Sequence, residues 1–417
     1  MFDILRKKWT VVLKDIGLSS SFGTDMTDDM NNKKFGTNAV HSGTQHIGDA
    51  VNTPIFLSST YKLTEERYAG WAAGAQHTLL YARMSSVNSD AVAQKMAALE
   101  GGEDAETFAS GMAAISTTLL ALLNTGDHIV SCPDVYGGTY GLLTEELPRF
   151  GISHTMADIR DPASYEAAIE ENTKILYIET LTNPMLKICD IPAFVDIAKR
   201  HGLLLIIDNT FASPWGCRPL DMGVDLVIHS TTKYLGGHSD LIGGCVVGSA
   251  ELITQIFKRK IHFGGCADPH NCYMLERGIR TLDVRMPRIC ENAATIAERL
   301  EAHPMIEKVY HSSLASHPDS QIAHKVLPNG SGMVAYVVKG GDANALTFMR
   351  NLKIIYEATS LGGVESLIEC PFNSSHMSIP EDVRIAAGIV PGFVRMSIGI
   401  EDVEDLWADI EQALATL

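Results

Sequence analysis

Residues 203–240 read LLLIIDNTFASPWGCRPLDMGVDLVIHSTTKYLGGHSD. Two short apolar runs, LLLIID (203–208) and DLVIHS (225–230), each give way to polar or Gly/Pro residues. Runs of that length, bounded in that way, fit strands buried on both faces. Working outward, DHIVSC (127–132) and KILYIET (174–180) are runs of the same kind, with helical patterns following most of them. Ser110-Gly111 is a helix start; Met112, Ile115, Leu119, Leu122 and Leu123 recur at helical spacing before Gly126 stops the run. Apolar strands alternating with helices predict βαβ units, hence an α/β fold with a mostly parallel sheet. Ligands of such sheets gather at the C-terminal ends of the strands.

At two successive strand ends the chain carries Asp208 and Lys233, 25 residues apart, with Ser230 and Thr232 three and one residues before the lysine. A lysine amine can form a Schiff base with an aldehyde. A carboxylate can hold a pyridine nitrogen protonated, which makes the ring an electron sink. Hydroxyls and a helix start can hold a phosphate. Each residue alone reads as an N-cap serine, a surface lysine or a turn aspartate. In this order and together they point to pyridoxal 5'-phosphate (PLP).

The remaining sequence sets the frame. The 417 residues carry 33 Lys and Arg against 50 Asp and Glu, a net charge of −17 that disfavours nucleic acid and anionic membranes as partners. Eight scattered cysteines without a CxxC motif argue against a disulfide framework and a cysteine-rich zinc site, and for reduced thiols in the cytoplasm. The opening MFDILRKKWTVVLKDIG mixes charges into its apolar residues and does not read as a secretory signal, and no apolar run approaches a membrane span. Four segments are expected: a tail over 1–36, an extended N-terminal arm over 37–84, a large domain over 85–284 and a smaller α+β C-terminal domain over 285–417. The last of these starts with the helical RICENAATIAERLEAH (288–303) and includes the strand-like GMVAYVVKG (332–340) and FVRMSIGI (393–400). It closes on a helix that sets Val403, Leu406, Trp407, Ile410 and Leu414 on one face. His229, His238 and Asp240 flank the lysine and read as packing or supporting groups; with Cys266 and Cys272 they make no convincing metal set.

HSTTKYLGGHSD (229–240) resembles the lysine signature of the Cys/Met-metabolism PLP enzymes, the trans-sulfuration family. ALEGGEDAETFASGMAAI (98–115), DVYGGTYGLL (134–143), IETLTNPMLKICDI (178–191), IIDNTFASP (206–214), RGIRTLDVRM (277–286), SLGGVESL (360–367) and VRMSIGIED (394–402) resemble further family blocks in family order, over about residues 37–417. The resemblance implies a PLP fold-type-I enzyme with a seven-stranded sheet, assembled as a tetramer of two close dimers. It implies carbon–sulfur lyase activity by α,γ-elimination on substrates of the cystathionine or methionine type, giving a 2-oxo acid, ammonia and a thiol. The alternatives within the family are γ-replacement on an activated homoserine, cystathionine β-elimination, and γ-elimination on an unusual amino acid.

Roles follow residue by residue. Lys233 matches the catalytic Schiff-base lysine and Asp208 the partner of the pyridine nitrogen. Ser230, Thr232, Gly111 and Met112 match phosphate contacts, and Tyr136 the aromatic stacked on the ring. Asn183 matches the contact to the phenolic oxygen, and Arg395 the fork for the substrate carboxylate, with Ser360 and Thr359 beside it. Tyr81 and Arg83 match a pair that reaches the phosphate in the neighbouring subunit. Three positions depart from the family. Ser86-Val87-Asn88 stands where the arm usually has Asn-Pro-Thr, and Gly138 where methionine γ-lyases have Cys. Thr359 stands where cystathionine γ-enzymes place Glu.

Overall fold

The computed structural model describes residues 33–74, 77–374, 377 and 381–417. The tail reading of 1–36 falls almost wholly outside them. Twelve strands occur among the described residues. The first seven are β1 (Asp104–Phe108), β2 (His128–Ser131), β3 (Ser153–Met156), β4 (Thr173–Glu179), β5 (Leu204–Asp208), β6 (Leu226–Ser230) and β7 (Gly244–Gly248). They form one sheet in the order β1-β7-β6-β5-β4-β2-β3. β2 runs parallel to β3 and β4, and β4 to β5, while β1 pairs antiparallel with β7. Ile206 and Ile207 in β5 and Val227 and Ile228 in β6 are fully buried, as the unbroken apolar runs require.

The connections are read from ordinary helix signals. Pro192 sits in the first turn of the helix Ile191–His201, Lys199, Arg200 and His201 fill its last turn, and Gly202 ends it at a φ of 65°. That stop releases the chain into β5, so Asp208 emerges at the strand's C-terminal end. Gly111–Leu122 is the helix announced by Ser110, whose Oγ accepts from the Ala113 N–H at 3.1 Å.

The remaining strands, β8 (Ile306–Tyr310), β9 (Met333–Val338), β10 (Tyr356–Glu357), β11 (Leu367–Glu369) and β12 (Phe393–Ser397), form a second sheet in the order β10-β11-β12-β9-β8. It shares a core with the helices Leu282–Glu301, Gly341–Asn351 and Val403–Leu414, through Ile296, Leu300, Tyr336, Phe348, Met396 and Ile410. In the last helix Leu406, Ile410 and Leu414 are buried, and Val403 and Trp407 pack at the margin of that core.

The segment expected to be an extended arm holds two short helices, Phe35–His41 and Glu65–Ala72. Glu65–Ala72 buries none of its residues, so it has no apolar stripe for a sequence pattern to show. The Ser86-Val87-Asn88 turn is well made without its proline. The Ser86 side chain caps the helix Val87–Glu100 by accepting from Ser89 N–H. Asn88 exchanges hydrogen bonds with Phe56 N–H and Pro54 C=O, both at 2.9 Å.

Two compact units divide the chain. One comprises the residues through Leu122 with Ile228–Thr232 and Leu241–Thr281, the other Leu123–Val227, Lys233–Asp240 and Leu282–Leu417. Among the described residues no helix is long and apolar enough to cross a membrane.

Candidate active site

In the first unit the site residues build an anion cradle. The helix Gly111–Leu122 begins with N–H groups at Gly111 and Met112 that precede its first intrahelical bond, Ala114 N–H to Ser110 C=O at 3.1 Å. A Cβ at Gly111 would lie 2.8 Å from the Ser230 Cβ, so only glycine lets the helix end approach that serine. The Thr232 hydroxyl accepts from the Gly243 N–H at 3.1 Å. Tyr81 and Arg83 belong to the same unit; both are exposed, and the Arg83 guanidinium lies 5.5 Å from the Tyr81 ring centre and donates to the Ile261 carbonyl.

In the second unit the groups converge on Lys233. Its Nζ donates to Ser360 Oγ at 2.7 Å. Burial, and after it the charge of Arg395, pulls the amine down to about 8, with Glu369 acting the other way. Ser360 holds a φ of 88°, a conformation a serine adopts only when its surroundings impose it. The imposing contacts are visible. Ser397 Oγ in β12 accepts from the Gly362 N–H at 2.9 Å, and Gly362, at a φ of 78°, runs against the lysine backbone. A Cβ there would lie 2.6 Å from Tyr234 N and 3.0 Å from the Lys233 carbonyl carbon. Gly362→Ala should therefore push the Ser360 loop off the lysine. We expect kcat/KM to drop about tenfold or more, with a stability cost of about 1–3 kcal/mol; steady-state rates and a thermal melt both matching wild type would refute this.

Arg395, buried on β12, donates to Asn183 Oδ1 at 2.6 Å and to the Ser360 carbonyl at 3.1 Å, and pairs with Glu369 Oε1 at 2.7 Å. The bond to Arg395 fixes the Asn183 amide with its oxygen inward, which leaves the NH₂ as the donor for another partner. Asp208 ends β5 and is buried; its Oδ1 accepts from the Thr210 N–H at 2.9 Å. Tyr136 is 46% exposed, so its ring has a free face, while its N–H is held by Glu179 Oε1 at 2.6 Å. Thr359 is exposed at the start of the Ser360 loop.

A family profile described as Cys/Met metabolism PLP-dependent enzyme matches residues 36–415. The chain belongs to this family. L-methionine gamma-lyase of Porphyromonas gingivalis is 40% identical over 395 residues, 94% of this chain and 99% of that protein. Cystathionine gamma-lyase of Bacillus subtilis is 44% identical over 369 residues, 88% of this chain and 95% of that protein. The crystal structure of cystathionine gamma-lyase from Lactobacillus plantarum complexed with L-serine superimposes with a TM-score of 0.87 at 40% identity, covering 92% of this chain and 99% of that one.

The cofactor of this Cys/Met-metabolism enzyme is PLP. The donor set fits it. The glycine-only approach of Gly111 to Ser230 leaves first-turn N–H groups for a phosphate, and a buried carboxylate stands at Asp208 and a half-buried amine with a lowered pKa at Lys233. Three supporting groups escaped the sequence reading. Glu369 faces Arg395 from a three-residue strand, Glu179 reaches back to Tyr136 across 43 residues, and Ser397 lies within a run read only as a strand. The apolar run KILYIET, with a glutamate next to its end, was the one available signal for Glu179.

Proposed function

We propose that the protein is a PLP-dependent carbon–sulfur lyase that acts by α,γ-elimination on amino acids of the cystathionine or methionine type, yielding a 2-oxo acid, ammonia and a thiol. The Lys233 amine held at 2.7 Å by Ser360, with Arg395 donating to the carbonyl of that same serine, is the observation that carries this reading. The names of the relatives, methionine and cystathionine gamma-lyases, support it.

PLP, when bound, supplies an aldehyde for the amine and a ring that spreads negative charge from Cα. The chain supplies the rest. Ser230, Thr232, Gly111 and Met112 would hold the phosphate, and Tyr136 would cover the ring. The Asn183 NH₂ donates to the phenolic oxygen. Arg395 takes the substrate α-carboxylate in a planar fork, which aims the Cα–H bond. Lys233 Nζ removes that proton, a task suited to an amine brought near neutrality by burial. Ser360 Oγ keeps the amine on station, so the same nitrogen can return a proton further along the substrate.

The active unit is a dimer within a tetramer, in the cytoplasm. Tyr81 and Arg83, exposed and stacked on one another, reach the phosphate of the adjacent subunit. A mixed dimer of an Arg83→Ala chain with a Lys233→Ala chain should recover about half the wild-type activity from two nearly inactive parents. No recovery would place both residues at their own chain's site.

Thr359 sets the substrate range. It carries no charge where cystathionine γ-enzymes place a glutamate, so it offers nothing to the distal ammonium of cystathionine. Opposite charges in a partly dehydrated cleft attract by about a few kcal/mol. The wild type should show no large preference for cystathionine, and Thr359→Glu should raise its kcat/KM for cystathionine relative to methionine about tenfold. A strong wild-type preference left unmoved by the substitution would assign selection elsewhere. The competing reading, γ-replacement on an activated homoserine, is tested in the same assay: cystathionine formed from O-acylhomoserine and cysteine, in place of keto acid, would establish it.

A further inference from the structure

Glu179 is a buried carboxyl to which the chemistry above gives no task. It is the last residue of β4 and is 4% exposed. In the parallel register of β4 with β5 it stands opposite Asp208, so two carboxyl groups end neighbouring strands side by side. Burial first, and the charge of Asp208 after it, raise the Glu179 carboxyl well above its ordinary value. A hydrophobic residue would avoid that cost, and most of β4 is hydrophobic.

The contacts show what the carboxyl does. Its Oε1 accepts the Tyr136 N–H at 2.6 Å, and the Asn183 backbone amide also acts on this carboxyl, favouring its charged form. Tyr136 follows β2 and caps the short helix Gly137–Gly141; Asn183 lies on the turn after β4. That turn is closed on itself by Thr182 N–H to Lys187 C=O and Leu186 N–H to Thr182 C=O, both at 3.0 Å. The turn carries Asn183 Oδ1, the acceptor for Arg395 Nη1. A side-chain oxygen with two lone pairs, carried on a stem of this length, can collect N–H groups from two separate segments at the end of a strand.

We propose that Glu179 is a positioning residue: one carboxyl gathers the backbone N–H groups of Tyr136 and Asn183 and thereby fixes, beside Asp208, the two segments that present an aromatic ring and an amide to the cofactor. Through Asn183 the same anchor extends to the guanidinium of Arg395. The role rests on the reading of the Lys233 centre as a PLP site. The reach of the side chain matters here, not its charge.

Two substitutions separate reach from charge in the holoenzyme. Glu179→Gln keeps the length and an acceptor oxygen and loses the charge; Glu179→Asp keeps the charge and withdraws by one methylene. The part-buried Lys187–Asp134 pair, at 2.7 Å, ties the same two segments independently of Glu179. The readouts are the visible circular dichroism of the bound cofactor, its rate of release on dilution, and kcat/KM, with far-UV circular dichroism as the check on folding. Glu179→Gln should stay within about threefold of wild type, whereas Glu179→Asp should release PLP about tenfold faster, lose most of the visible dichroism and fall about tenfold in kcat/KM. Glu179→Met, with neither charge nor acceptor, should match the aspartate variant. An aspartate variant indistinguishable from wild type, or a glutamine variant as impaired as it, overturns the role. Borohydride treatment of the wild type keeps the two failures apart: no adduct on Lys233 removes the PLP site itself, while an adduct with an unaffected aspartate variant removes only the role of Glu179.

Discussion

Lys233→Ala should lower turnover by about 10⁴-fold or more, the largest effect of any single substitution. On the proposed roles, removing the side chain takes away the covalent attachment point for PLP and the base for the Cα proton together. Borohydride reduction of the wild type should fix a phosphopyridoxyl group on the peptide that carries Lys233, and no such adduct should form in the variant. The environment of the amine adds a pH signature. With the amine brought to about 8, PLP capture by the apoprotein should slow about tenfold for each pH unit below that value and level off above it, because only the neutral amine attacks. A limb displaced to the ordinary lysine range would mean that burial does not act on this nitrogen. An adduct on another lysine would remove Lys233 from the centre of the site.

Asp208→Asn should leave PLP bound and reduce kcat about 10²–10³-fold. The Asp208 carboxylate is buried and oriented by the Thr210 N–H, and on the proposed reading it would serve the pyridine nitrogen as a fixed acceptor. In that role it would stabilise a proton on the pyridine nitrogen and with it the ring's capacity to take up charge. An asparagine of the same shape brings an NH₂ donor, which favours the unprotonated nitrogen. The variant should therefore retain cofactor while losing turnover, with KM changed little. Near-wild-type kcat would show that another group serves the nitrogen.

The large sheet was legible because β4, β5 and β6 are unbroken apolar runs with polar residues at their C-terminal ends. β1 and β3 were not: DAETF and SHTM are too polar and too short to stand out, and pairing with β7 and β2 makes strands of them. The helix Glu65–Ala72 was invisible for the same kind of reason, since it buries nothing. Of the proposed site residues, Asp208 and Ser230 end strands and Lys233 follows one by three residues, offsets that a sequence displays directly. What holds them is not displayed in that way. Ser397 and Glu369 act on the lysine loop and on Arg395 from strands far along the chain. A hydrogen bond between positions dozens of residues apart leaves no periodicity in a single sequence. The capping box at Ser86 sits between. Serine three residues before a serine is a readable helix start, and the reciprocal bonds of Ser86 and Ser89 make the turn without a proline.

Each compact unit is assembled from three separate stretches of chain. This has a consequence for how the protein is made. A chain leaving the ribosome cannot complete the first unit until Thr281 is out, nor the second until its final stretch, Leu282–Leu417, has followed. The apolar strands β4 and β5 emerge long before the last segments of their own unit and are exposed in the interval, which is when aggregation competes with folding. Many contacts join distant parts of the sequence, the kind of topology that slows folding. Neither unit can be excised as a continuous fragment, and a premature stop after Thr281 leaves the second without its five-stranded sheet, and with that without Arg395.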